Sequence, residues 1–234
     1  LSSNIIVRNA LTLFGAGNLS GYQIDVYGDV SSTKTNSGTT KVRLVGSNNQ
    51  SLASSGGGAL PRLIIDKTGG LVTGGSTLAV LSGGIEVLNG SVDFTNTDMT
   101  LSGGGSEPIQ LAGNAVKSLA INIWSAGSLT IKDNLNVIND LTLNGNGIPI
   151  PGVAGVKIST GGNLNVNLGC PCWGGKVDIE MAGATNSIIS VGSAGGTVAG
   201  SVFGGNLIIN KNPAAVVSLQ SHLNMTQTGQ TLVV

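Results

Sequence analysis

The sequence predicts an all-β chain wound as a parallel β-solenoid, a coil of short strands with about three faces per turn. Apolar-x-apolar triplets recur along almost the whole chain, and a 3.6-residue period never lasts more than a few residues. The triplets follow one another at steps of six or seven residues. Gly, Ser, Thr and Asn together supply 105 of the 234 residues, a profile suited to corners and turns rather than helices.

The triplets read in chain order as very short strands. The early ones are Ile24-Asp25-Val26, Val42-Arg43-Leu44, Leu63-Ile64-Ile65, Leu78-Ala79-Val80 and Ile85-Glu86-Val87. The later ones are Leu129-Thr130-Ile131, Leu135-Asn136-Val137, Leu141-Thr142-Leu143, Leu164-Asn165-Val166 and Val177-Asp178-Ile179. Side chains alternate along a strand, so each triplet buries its outer two residues and turns its middle one outward. Asp25, Glu86 and Asp93 all hold that middle position, which predicts a solvent-facing side.

Starts at Leu78, Ile85, Val92 and Met99 are seven apart, and those at Leu129, Leu135 and Leu141 are six apart. A hairpin meander would turn only about every 8 to 12 residues. The shorter step suits one strand and a small corner on each face of a solenoid. Gly and Asn at the corners are expected to supply left-handed backbone. A β-sandwich made from the same triplets is the alternative architecture.

Composition excludes several classes. Eleven Lys and Arg balance eleven Asp and Glu, so the chain carries no basic footprint for nucleic acid or an anionic membrane. Hydrophobic residues make up 40% and the mean hydropathy is +0.30, which argues for a folded chain. The longest apolar stretch, around 147–156, is far too short for a membrane helix. Phe14, Tyr22, Tyr27, Phe94, Trp124, Trp173 and Phe203 are too few for the aromatic girdles of an outer-membrane barrel. The chain starts at Leu1 without a basic and apolar leader, so the expectation is that a targeting segment has been removed or that the polypeptide continues.

A longer repeat is superimposed on the triplets. Pro61-Arg62-Leu63-Ile64-Ile65-Asp66-Lys67 matches Lys117-Ser118-Leu119-Ala120-Ile121-Asn122 and Gly205-Asn206-Leu207-Ile208-Ile209-Asn210-Lys211. The chain is therefore read as one elongated solenoid, 1–234. Its imperfect units span roughly 42–98, 99–175 and 176–234, with an insertion at 152–175.

Gln50 and Gln110 precede a Gly-rich link, then Leu-x-Ile-Asn/Asp-Lys, then Gly-x-Leu-x-x-x-x-Leu-x-Val. In this pattern the chain resembles the Gly/Asn/Thr-rich repeats of large secreted bacterial surface proteins, including filamentous-haemagglutinin-like adhesins. The resemblance covers most of the chain from about Val42 onward. It implies a parallel β-solenoid, export, and a fibre, sheath or adhesive role, and it carries no catalytic residues.

Cys170 and Cys172, the only cysteines, lie outside that pattern. An intraloop disulfide, free thiols and an interchain link are all open to them. With His222 alone they do not complete a zinc set, and neither metal nor cofactor is expected. Asp178 and Glu180 lie two apart on a strand and project from one face, as paired carboxylates do in glycoside hydrolysis. The alternation Val177, Ile179, Met181 explains them more cheaply as the solvent side of a half-buried strand. Trp173 and Trp124, with Tyr22 and Tyr27, could stack on sugar rings, but the favoured reading has the Trp residues fill a corner or cover a solenoid end. The Asn-x-Ser/Thr sequons at Asn18, Asn49, Asn89 and Asn224 are expected by chance in so Asn-rich a chain.

Both ends are apolar and almost uncharged. Ile5, Ile6 and Val7, and Leu232, Val233 and Val234, are the expected assembly edges, since an open strand edge invites pairing. The functional expectation is a non-enzymatic, extracellular or cell-surface structural protein that associates with itself or continues in the same chain. A carbohydrate-binding or polysaccharide-degrading β-helix is the alternative, with surface glycans as partners. Neither nucleic acid nor membrane insertion is expected.

Overall fold

The computed structural model describes residues 4–81, 84–103, 106–123, 128–145, 148–151, 153–168, 177–192, 205–221, 223 and 231–234. The chain is all-β, and its strands stack in parallel as a solenoid of about eight turns. Parallel neighbours cannot be joined by tight hairpins, so the β-sandwich alternative is set aside.

Three ladders run along the solenoid. One steps through Ile5, Ile24, Val42, Leu63, Ile85, Ile109, Ile131 and Pro151. The second starts with Leu11, Val30 and Leu52 and passes later through Val116, Val137, Thr160, Met181 and Ile209. The third steps through Leu78, Met99, Leu119, Leu141, Leu164, Ile189 and Leu219. The seven-residue step is therefore one face. Leu78, Ile85 and Val92 occupy the three ladders in turn, and Met99 returns to pair with Leu78.

The core is the inside of this coil. Leu63, Leu78, Leu141, Leu164 and both ends of Val42-Arg43-Leu44 are fully buried. Each such aliphatic side chain contributes about 1.5–3 kcal/mol over an exposed one. Phe94 is the largest buried side chain. No other described aromatic enters the core, which fits a narrow interior filled by branched aliphatics.

The corners differ from the sequence expectation in one respect. Among the described residues left-handed backbone is taken by glycines and by Ala112 alone, and by no asparagine. The asparagines and aspartates act through their side chains. Oδ1 of Asp29, Asn49, Asn134, Asn163, Asn186 and Asn206 accepts a bond from the N–H of Ser51, Leu71, Lys157, Ile188, Val216 and Thr231, each one coil further on. A short carboxamide or carboxylate on one coil reaches an N–H on the next, so these groups find a partner outside the strand ladder. On the third face, Asn144 Nδ2 donates to Asn122 Oδ1 at 2.8 Å and Asn167 Nδ2 donates to Asn144 Oδ1 at 3.0 Å, an asparagine ladder along the rod.

The three copies of the longer repeat occupy three different ladders. Leu63 lies in the first, Leu119 in the third and Leu207 in the second. What they share is local: a run of buried or half-buried aliphatics in a strand, followed by an outward Asp or Asn. Lys67 and Lys211, which follow two of these residues, donate to main-chain carbonyls of earlier coils, Asn48 O at 2.7 Å and Gly161 O at 2.7 Å.

Candidate functional site

The strand Asp178–Gly183 carries the paired carboxylates. Its register opposite Lys157–Thr160 sets Asp178 beside Lys157 and Glu180 beside Ser159. Period-two alternation turns both acids away from the core, while Ile179 and Met181 point into it and are fully buried.

Glu180 is nonetheless only 8% exposed, because its neighbours cover it. Lys157 Nζ lies 2.7 Å from Oε2, Asn210 Nδ2 donates to Oε1 at 2.8 Å, and the Ser159 hydroxyl donates to Oε2 at 2.7 Å. These three bonds, that from Lys157 foremost, hold the carboxyl at about pKa 2 against the opposing effect of burial. Asp178 Oδ1 accepts a bond from the N–H of Asn206 at 2.9 Å. The pair thus ties three successive coils together. A general acid needs a proton at working pH, and Glu180 carries none there.

Glu86 follows the same design, and the expectation of a solvent-facing middle residue is corrected for it. It points outward but is 6% exposed, lying beneath Arg62 and Lys132. Burial pushes its carboxyl up, and the bonds from Arg62 and Lys132 outweigh that, so it sits below the usual range. Arg62 Nη1 also reaches Glu107 at 3.2 Å. Nearby, Arg43 makes two 3.0 Å bonds to the carboxylate of Asp25 and one of 3.4 Å to Asp66. Asp93 is less covered, its carboxylate accepting the N–H and hydroxyl of Thr95. Sequence reading placed these acids on the outward side but missed that basic residues one and two coils away would cover Asp25 and Glu86. The alternation of sign between stacked triplets, as in Asp25 and Arg43, was the available signal.

A lysine pocket was also missed. Lys67 is 3% exposed, and its Nζ donates to Gln50 Oε1 and to Asn48 O. Gln50 in turn donates to Val26 O at 3.1 Å and Gly28 O at 2.5 Å. Burial pushes the Lys67 ammonium pKa down.

The expected assembly edges lie at opposite ends of the ladders. Among the described residues Ile5–Val7 pairs only with Gln23–Val26, and Leu232–Val233 pairs only with Leu207–Lys211. Ile5 and Ile6 are exposed and Val7 half-buried, while Leu232, Val233 and Val234 are exposed. At the second end the core opens into an apolar hollow of about 340 Å³, lined by Ile189, Leu207, Ile209, Val217, Leu219 and Leu232 among others.

Tyr22 and Tyr27 flank the strand Gln23–Val26 from opposite ends, and the Arg8 guanidinium sits 5.5 Å from the Tyr27 ring centre. Asn18, Asn49 and Asn89 each bond within the chain, to Ser20, the N–H of Leu71 and Asp66. Cys170, Cys172, Trp173, Trp124, His222 and Asn224 lie outside the described residues. Among the described residues no group of three or more His, Cys, Asp or Glu is placed to hold a metal ion.

Fold and surface together define the class of protein: a parallel β-solenoid in which outward charges such as Asp25, Arg43, Glu86 and Glu180 tie neighbouring coils together. No protein-family model matches the chain, and neither a curated protein nor a solved structure does.

Proposed function

We propose that the protein is a non-enzymatic structural component of an extracellular or cell-surface fibre, sheath or adhesin, assembling through its terminal strand edges with further copies or with more of the same chain. The observation that carries this reading is that, among the described residues, Ile5–Val7 and Leu232–Val233 each pair on one side only, with apolar side chains exposed on both. An added parallel strand would satisfy the free N–H and C=O groups of each edge, and an added coil would fill the hollow beside Leu232. The near-zero net charge offers little repulsion between copies.

The carbohydrate alternative would use Asp178, Glu180 and Trp173. It has less support, because both described acids are engaged in bonds between coils.

Electron microscopy of the purified chain across a concentration series tests the assembly. Filaments that lengthen with concentration are expected, and Leu232→Pro, which removes the edge N–H directed away from Leu207–Lys211, should abolish them with an unchanged circular dichroism spectrum. Monomers at every concentration would defeat the proposal and direct attention to glycan screening.

A further inference from the structure

The tripeptide Leu-Asn-Gly occurs at Leu88-Asn89-Gly90 and again at Leu143-Asn144-Gly145. We infer that Asn89 is a site of spontaneous deamidation from which Asn144, in the same local sequence, is protected by the fold. Asparagine followed by glycine is the most thermolabile setting for its amide, because glycine has no Cβ to obstruct ring closure.

The two glycines share a backbone conformation, with φ of 101° at Gly90 and 103° at Gly145. Their surroundings differ. Gly145 is in register with Ile123 on one side and Leu168 on the other. Gly90 falls in a break in register, between Asn89 opposite Asp66 and Ser91 opposite Leu71, and has no register partner of its own. Leu88 is 50% exposed and Leu143 is 1% exposed. The Asn89 side chain is exposed and donates once, to Asp66 Oδ1 at 2.7 Å. Asn144 is held at both ends of its carboxamide, by Asn122 and by Asn167.

Reaction needs the Gly90 nitrogen to reach Asn89 Cγ. A new N–C bond forms, the bond from Cγ to Nδ2 breaks, and ammonia leaves with the proton lost from the Gly90 nitrogen. Water then opens the resulting succinimide to an aspartyl or isoaspartyl residue. At Asn89 only a surface side chain and an unregistered peptide must move. At Asn144 two ladder pairings and two side-chain bonds must open first, and such local opening sets the rate of reactions within folded chains. Conversion would replace the donor beside Asp66 by a second carboxylate and weaken the corner that Arg43 and Asp66 share.

The test is ageing of the purified full chain in mildly alkaline buffer, with peptide mapping in which fragment ions place each mass gain of about 1 Da. A denatured sample serves as the control. In that control the two identical tripeptides should convert alike. In the folded chain, whose circular dichroism is followed throughout, conversion at Asn89 should run at least about tenfold faster than at Asn144. Asn89→Gln should remove the gain at 89 and leave the rest of the map unchanged. Equal rates at the two sites in the folded chain, or no gain at Asn89 where the denatured control converts, would overturn the inference.

Discussion

Glu180 shows how one outward residue is turned into a tie between coils. Its carboxyl titrates at about 2 in the folded chain against an ordinary 4.5. A depressed folded pKa stabilises above the unfolded value, and that stability disappears as pH falls through the folded one. Urea unfolding of wild type and Glu180→Gln should therefore differ by roughly 1–3 kcal/mol near neutrality, the gap closing between about pH 4.5 and 2. A gap independent of pH over that window would mean the ion pair contributes nothing. Thr97 is the opposite case: its hydroxyl is fully buried and has no hydrogen-bond partner among the described residues. Thr97→Val keeps the shape and removes an unsatisfied polar group, so it should raise stability by about 1 kcal/mol in the same assay.

Strands and corners are where burial determines the cost of a change. Leu141 pairs with Leu119 on one side and Leu164 on the other, and all three are buried. Leu141→Ala should cost about 2–5 kcal/mol, because both flanking coils hold the cavity open. Leu232 lies on an exposed edge, and Leu232→Ala should change the stability of the isolated chain by less than about 0.5 kcal/mol. Comparable losses at the two positions would contradict the stacking order. Triplets of this kind were readable because two buried residues flanking one outward residue is a strand's own period. The corner chemistry was not readable. Asn163 and Asn206 look alike in sequence whether they bend the backbone or cap an N–H, and only the coil above reveals which.

At the scale of the whole molecule each coil packs its core and strands on its immediate neighbours, with a few side chains reaching two coils away, so stability should be graded along the rod rather than uniform. Amide hydrogen exchange should be slowest in the coils around Leu101, Leu119 and Leu141 and fastest at Ile5–Val7 and Leu232–Val233. Assembly would slow exchange at those two edges selectively, separating pairing between ends from lateral contact. Uniform protection along the chain would instead indicate a single all-or-none unit.

The sequence by itself determined the class of fold and the face-to-face step. A seven-residue interval between buried triplets admits one strand and one corner and little else. It also marked which residues point outward. Tertiary structure decided everything that depends on the residue one coil away. The repeat seen at Leu63, Leu119 and Leu207 falls on three different faces, because coil length varies and a local strand-and-corner motif has no memory of its face. Glu86 and Glu180 became covered rather than solvated, since their cationic partners are about twenty or more residues distant in sequence yet one or two coils away in space. Two identical Leu-Asn-Gly segments acquired different environments for the same reason: in a solenoid the neighbour that matters is fixed by stacking register, which no short stretch of sequence contains.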